Sequence, residues 1–151
     1  MISFPTPDNA AKIEHINNGF VKLHPGPPVH YFTRCDDDMF HTHKWNFLSH
    51  IVVGGYREEV LVPQPDGSWQ VQTFDRLPGT SHVMPAGLPH KLIALLDGPC
   101  ITRCEYTASF QEFGFCRFEN GVLLHRFHNQ PDWKPYTLDI SVLEEEYQFF
   151  G

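Results

Sequence analysis

The sequence is poor in positive charge. Its 151 residues include 11 lysines and arginines against 18 aspartates and glutamates, so the net charge at pH 7 is −7. Proteins that bind nucleic acid present a basic face to the phosphates, and the chain has no cluster of lysine or arginine. We therefore do not expect nucleic acid as a partner.

Long hydrophobic runs are also lacking. No stretch approaches the ~20 apolar residues that a membrane helix needs. The first residues, Met1 to Pro5, do not have the charged and apolar segments of a signal peptide. We expect a cytoplasmic protein without a membrane partner.

Cysteine is scarce, and the four cysteines form no Cys-x-x-Cys pair: Cys35, Cys100, Cys104 and Cys116. Cys100 and Cys104 would share a strand face about 13 Å apart at ~3.3 Å per residue, which is too far for a disulfide. A cytosol would keep these thiols reduced. We expect small buried hydrophobic residues rather than a zinc or redox motif.

What the chain does contain predicts a single β-rich domain. Thirteen phenylalanines suit a sheet interior, and thirteen prolines with eleven glycines predict many turns. Residues 69–74 alternate apolar and polar at period two, and turn signals recur about every ten residues, as at 65–67 and 120–121. The pattern indicates an all-β barrel or sandwich. Short helices are predicted at residues 10–16 and 141–147, after the capping signals there.

A histidine pair stands at the start of the central apolar stretch. His41 and His43 are two residues apart, and on a strand such residues point to the same face. Neutral imidazole is the commonest protein ligand for zinc, copper, iron and nickel. The pair is a candidate metal site, and the bland alternative is two exposed histidines in a loop.

A second stretch carries a family resemblance. Gly79, Pro85, Gly87 and His90 have the spacing of the second signature of the cupin superfamily, and the His41 stretch resembles the first. The resemblance implies a jelly-roll (double-stranded β-helix) barrel over residues 31–136, an N-terminal arm over 1–30 and a C-terminal extension over 137–151. It also implies a metal site of three histidines, His41, His43 and His90.

The chain departs from the usual cupin pattern at two positions. Leu48 or Phe47 stands where a glutamate ligand is expected, and Ala94 replaces the usual asparagine. A run of His-x-His-x-Trp-x-Phe-x-Ser, followed by Gly-Gly-Tyr and a glutamate, resembles a group of small bacterial and phage cupins. That group also resembles the chain at Arg76-x-x-Gly79 and at residues 113–115. This narrower resemblance brings no known substrate.

Alternation along the strands predicts further residues that would line the pocket. His50 shares a strand face with Leu48, so it is a candidate fourth ligand or base, or else a hydrogen-bonded barrel histidine. Arg57 is expected near the barrel mouth, and Arg103 or Tyr106 on a late strand. An inward arginine would bind a carboxylate or phosphate, and an inward tyrosine would act as an acid or hydrogen-bond donor. The alternatives are a surface arginine and a core tyrosine.

Three other histidines are left open or placed outside. His82 is two residues before Met84 and is either inward-facing or structural. His125 and His128 are three apart, which is the wrong spacing for one strand face. We expect them to be surface or interface residues.

Three protein ligands would leave part of a metal's coordination sphere open, which favours catalysis over a closed structural site. Within the cupins, a three-histidine ferrous site resembles the thiol dioxygenases and some diketone-cleaving dioxygenases. The resemblance therefore favours a dioxygenase-type enzyme with Fe(II) that acts on a small polar or anionic molecule. Zinc, nickel, copper and manganese are the alternative metals.

Other functions remain open at this point. They are an isomerase or lyase on a sugar or keto acid, a metal-free epimerase, and a non-catalytic binding module. Because cupins often pair edge strands, we also expect a homodimer.

Overall fold

The chain folds into antiparallel strands that connect in two sheets. A computed structural model describes residues 12–17, 20–24, 29–33, 35, 39–107 and 111–138. The strands, in chain order, are β1 Lys12–Asn17, β2 Phe20–His24, β3 Val29–Phe32, β4 Phe40–Thr42, β5 Phe47–Val53, β6 Tyr56–Pro63, β7 Trp69–Arg76, β8 Ser81–Met84, β9 His90–Leu95, β10 Cys100–Tyr106, β11 Gly114–Glu119, β12 Val122–Phe127 and β13 Lys134–Pro135.

Between β3 and β11 the chain crosses repeatedly from one sheet to the other. One sheet has six strands in the order β1-β2-β3-β10-β5-β8, and the other has seven in the order β13-β12-β11-β4-β9-β6-β7. Every pairing in both sheets is antiparallel. The predicted all-β jelly-roll architecture is confirmed.

The hydrophobic core lies between the two sheets. One cluster joins Phe47, Met84 and Cys104 from the six-stranded sheet to Val60 of β6, with Leu88 from the loop before β9. Alternate positions of β5 and β10 are buried in this layer, as in other two-sheet sandwiches. Cys100, Cys104 and Cys116 are buried thiols outside any disulfide, which confirms the prediction for these three, whereas Cys35 is only partly buried.

Several turns depend on residues with positive φ. Gly67 (φ 86°) lies in the predicted hairpin between β6 and β7, and Asn120 (φ 52°) with Gly121 (φ 79°) joins β11 to β12. Both predicted hairpins are confirmed. Gly54 (φ 85°) also packs so closely that a Cβ atom there would collide with the carbonyl oxygen of Pro99.

The helix predicted over residues 10–16 is wrong. Lys12–Asn17 is a strand that pairs with Phe20–His24. A helix of this length is marginal in water, whereas pairing gives the same backbone groups partners in a sheet. No helix occurs in the described residues. The helix predicted at 141–147 lies outside them.

The arm, barrel and extension boundaries remain predictions. In the described part of the chain, no helix has the length and hydrophobicity that crossing a membrane requires.

Candidate metal centre

The structure brings three histidines from two neighbouring strands into one cluster. His41 of β4 pairs directly with His90 of β9, and His43 follows the end of β4. The ring centroids of His41 and His43 are 4.9 Å apart, those of His41 and His90 4.7 Å, and those of His43 and His90 4.9 Å. One possible ligand atom from each ring lies within 4.8 Å of the others.

Backbone contacts hold His43 although it lies outside a strand. Its N–H donates to the carbonyl of Ala86 at 2.9 Å, and its own carbonyl accepts a hydrogen bond from the side chain of Gln111 at 2.7 Å. Ala86 in turn donates to the side chain of Asn46 at 2.8 Å. The loop between β8 and β9 therefore sets the position of His43 relative to His90.

Two of the three rings are anchored by one nitrogen. His90 Nδ1 donates to Glu58 Oε2 at 2.9 Å, and His41 hydrogen-bonds the backbone of Met39. A neutral imidazole has one N–H and one lone pair, so anchoring the N–H leaves the lone pair for a metal. His90 Nε2 lies 2.7 Å from His43 Nε2.

Burial favours the neutral form of His41 and His43. It lowers the pKa of His41 to about 3 and the pKa of His43 well below its ordinary value, and the neighbouring His90 lowers both further. Neutral imidazole is the form that binds metal, because protonation removes the lone pair. This all-nitrogen donor set suits zinc, copper, iron or nickel.

A buried carboxylate behind the cluster was missed from sequence. Glu58 is fully buried, and its Oε1 accepts a hydrogen bond from Arg76 Nε at 2.7 Å. Burial alone would raise the pKa of Glu58, but the hydrogen bond from His90 and the positive charge of Arg76 lower it to about 2. Glu58 is therefore a carboxylate at neutral pH.

Comparison with solved structures identifies the fold. Vicilin from Corylus avellana (hazelnut) matches over 64% of this chain and 32% of its own, with 17% identity and a TM-score of 0.53. Hydroxypropylphosphonic acid epoxidase from S. wedmorenis matches over 70% of this chain and 59% of its own, with 14% identity and a TM-score of 0.52. The chain has the cupin fold.

A structure of Fe(II)-HppE with an alternative substrate matches over 70% of this chain and 60% of its own, with 15% identity and a TM-score of 0.50. The match thus spans about a third of the vicilin chain and three fifths of the epoxidase chains. No family model and no curated protein matches the sequence. The narrower group of small cupins stays a prediction.

His50 does not face the cluster. The inward positions of β5 are Phe47, Ser49 and Ile51, so Leu48 and His50 lie on the outer face of the cupin barrel. His50 Nδ1 hydrogen-bonds Ser81 Oγ at 2.6 Å, and its Nε2 donates to Glu105 Oε2 at 2.7 Å. The expectation of a fourth ligand or pocket base is corrected to a hydrogen-bonded barrel histidine. The shared parity with Leu48 was right, but that face is the outer one.

The two candidate arginines also lie outside. Arg57 is 44% exposed and pairs with Asp75 at 2.7 Å. Arg103 is exposed, because Cys100, Thr102 and Cys104 occupy the buried face of β10 and Arg103 lies on the opposite face. Neither side chain lies beside the histidines, so the expectation of an arginine at the pocket is corrected for both.

Tyr106 is the late-strand candidate that points inward. Its ring centroid lies 5.8 Å from that of Phe47, whose ring is 4.9 Å from His43. The Tyr106 hydroxyl hydrogen-bonds His30 Nε2 at 2.8 Å, and burial raises the pKa of Tyr106. Tyr106 is thus one aromatic ring away from the cluster. Its catalytic role remains a prediction.

His82 faces inward and extends the buried polar groups. Its Nε2 lies 3.2 Å from the Tyr56 hydroxyl and 3.5 Å from Glu58 Oε1. Burial lowers the pKa of His82 to about 4. Its Nδ1 has no hydrogen-bond partner among the described residues. Of the two interpretations left open, the inward-facing one is the position observed.

The expectation that His125 lies at the surface is wrong. Only 7% of His125 is exposed, and its Nε2 hydrogen-bonds the buried Thr42 Oγ1 at 3.0 Å. Its ring stacks on Tyr136 with centroids 4.5 Å apart. His128 is exposed and donates to Glu112 at 2.8 Å, as a surface histidine would.

Proposed function

We propose that His41, His43 and His90 bind one divalent transition metal, and that the chain is a non-haem metal-dependent enzyme of dioxygenase type. Its substrate would be a small polar or anionic molecule. One observation carries the proposal: three imidazoles converge, one buried and two half-buried, and two of them are anchored so that a lone pair faces the others.

The ligand count favours catalysis. Structural zinc sites are closed by four protein ligands, whereas catalytic sites keep a position open. When bound, the metal would act as a Lewis acid and, as Fe(II), as the group that binds dioxygen. Fe(II) is the metal we favour. An epoxidase with the same fold is described as an Fe(II) protein, so the fold can hold iron.

The charge around the cluster supports a polar or anionic substrate. Burial favours the neutral form of His41 and His43, and the negative charge of Glu58 is paired with the positive charge of Arg76. A bound divalent metal would therefore keep its positive charge and attract an anion. Because Arg76 is engaged by Glu58, the metal itself would hold the anionic group.

An aromatic wall would orient the rest of the substrate. Phe47 contacts His43 edge-on, and Tyr106 packs against both Phe47 and Trp45, the latter with ring centroids 4.9 Å apart. Such a wall keeps water from one side of the metal and gives the substrate an apolar surface.

Metal analysis tests the proposal. Protein purified without an affinity tag is stripped with a chelator, loaded anaerobically with Fe(II), desalted and assayed for metal. We expect one equivalent in the unmodified chain and in His128→Ala, which removes an exposed histidine. His43→Ala should lose the metal and stay folded.

Oxygen consumption tests the reaction class. With the Fe(II) protein, oxygen uptake that depends on a small carboxylic acid or thiol, and that is absent in His43→Ala, would support a dioxygenase. Full metal binding by His43→Ala would refute the site. Turnover of a sugar or keto acid without oxygen uptake would replace the dioxygenase by an isomerase or lyase.

A further inference from the structure

We infer that Glu58, clamped by Arg76, is a positioning residue that fixes the tautomer of His90 and so assembles the metal site in advance. The inference rests on the proposed function for its consequence, which is metal affinity. The position of the proton on the His90 ring does not depend on a bound metal.

Each oxygen of Glu58 is occupied by a different donor. Oε2 accepts from His90 Nδ1 at 2.9 Å, and Oε1 accepts from Arg76 Nε at 2.7 Å. The Arg76 guanidinium is itself placed over the ring of Phe74, 4.4 Å from its centroid. Because both oxygens are engaged at opposite sides, the fully buried carboxylate is held against rotation.

The strand register brings these groups together. Glu58 lies two residues from Val60, which pairs with His90 across β6 and β9. Tyr56 pairs with Arg76 across β6 and β7. Glu58 is therefore a diagonal neighbour of both partners, one on each side of its strand, on the inward face.

A carboxylate accepts hydrogen bonds and donates none, so the proton of neutral His90 must be on Nδ1. The Nε2 lone pair then points toward His43, whose Nε2 is 2.7 Å away. In the metal-free chain this short contact requires His43 to donate its Nε2–H. Metal binding would move the His43 proton to Nδ1 and leave the His90 proton where it is.

A purely structural ion pair between Glu58 and Arg76 would predict something different. It would require no particular tautomer at His90, and removing the charge would change stability without changing metal affinity. Carboxylates that hold a metal-bound histidine are typically worth 10–100-fold in metal affinity.

The tautomer is measured on the metal-free protein. Long-range ¹H–¹⁵N spectra of the ¹⁵N-histidine-labelled chain report which ring nitrogen carries the proton, and His90→Gln assigns the His90 signals. We expect His90 protonated at Nδ1 alone and His43 at Nε2. A His90 ring protonated at Nε2 would overturn the inference.

The consequence is measured with a matched pair of variants. Glu58→Gln keeps the shape of the side chain and removes its charge. Glu59→Gln makes the same change at the next residue, which is partly exposed and pairs with Lys91 at 3.8 Å. Cobalt(II) titration should show a 10–100-fold weaker affinity for Glu58→Gln only. It should also show an altered visible spectrum, since the ligand field changes.

The outcomes separate the two proposals. If the unmodified chain binds cobalt and folded Glu58→Gln binds it equally well, the positioning role is refuted and the metal site stands. If no chain binds metal but His90 carries its proton on Nδ1, the proposed function fails and the role of Glu58 in fixing the ring stands. If Glu58→Gln does not fold, the tautomer measurement decides alone.

Discussion

A methyl group added at Gly114 should disrupt the strand beside the histidine cluster. A Cβ atom at this position would overlap the His125 ring, with Cε1 at 2.7 Å, and would lie 2.8 Å from the Arg126 carbonyl oxygen. The His125 ring is buried and held by Thr42. Because it has no free space to move into without losing that bond, Gly114→Ala must displace the ring or the strand.

The cost has two parts. Overpacking by one methyl group typically costs about 1–3 kcal/mol. Breaking the hydrogen bond between Thr42 and His125 leaves two buried polar groups unpaired, which costs about 1–3 kcal/mol more. We therefore expect the free energy of unfolding to fall by roughly 2–6 kcal/mol, a large share of the ~5–15 kcal/mol of an ordinary domain.

A double-mutant cycle tests whether His125 is the cause. The free energy of unfolding is measured by urea denaturation for Gly114→Ala, His125→Ala and the double variant, all metal-free. Removing the ring should reduce the cost of the added methyl to about 1 kcal/mol, since the Arg126 carbonyl contact remains. Equal cost of Gly114→Ala in both backgrounds, within about 0.5 kcal/mol, would refute the reasoning.

Three further predictions follow from the same packing. Burial lowers the pKa of His41 from 6.5 to about 3, so the unfolded chain binds more protons than the folded chain between these pH values. The free energy of unfolding should therefore fall as pH drops below about 6.5, by up to ~1.4 kcal/mol per pH unit. Equal urea midpoints at pH 7 and pH 5 in chelator would contradict this. Arg57→Ala removes a solvent-screened pair, so the urea midpoint and the metal content should both stay nearly unchanged; a clear fall in the midpoint would contradict this. Leu61→Ala empties a fully buried position and should cost about 2–5 kcal/mol in the same assay; a cost below 1 kcal/mol would mean that the core collapses around it.

Local pattern was enough to predict most of β7 and the main turns. Alternation at period two identified residues 69–74, and glycine with its permissive φ identified the hairpins at Gly67 and Gly121. Two of the three histidines were predicted because they share a strand parity, and the third because it stands in a glycine and proline motif that resembles a cupin signature. These patterns are local, so they can be recognised without knowing which strands pair.

The sequence pattern shows which residues share a strand face, but it does not show which of the two faces is buried. His50 alternates with inward Ser49 and Ile51, but all the residues from Phe47 to Val53 except two are apolar, so the inward face could not be read. His125 was misplaced for a similar reason. Its partner, Thr42, lies 83 residues away on another strand, and its burial depends on that pairing.

Glu58 could have been found by a stricter use of parity. It is an acid between the apolar residues Tyr56 and Val60 at period two, and burying a lone charge costs several kcal/mol unless a cation pairs with it. A hairpin that turns at Asp66 and Gly67 sets Arg76 opposite Tyr56, hence diagonal to Glu58 on the same face. The pair was therefore implied by one predicted hairpin. His90 comes from a third strand, which pairs with β6 on its other side, so its bond to Glu58 required the sheet order. Two short motifs therefore predicted the three histidines, whereas the hydrogen bond between Glu58 and His90 is set only by the tertiary structure.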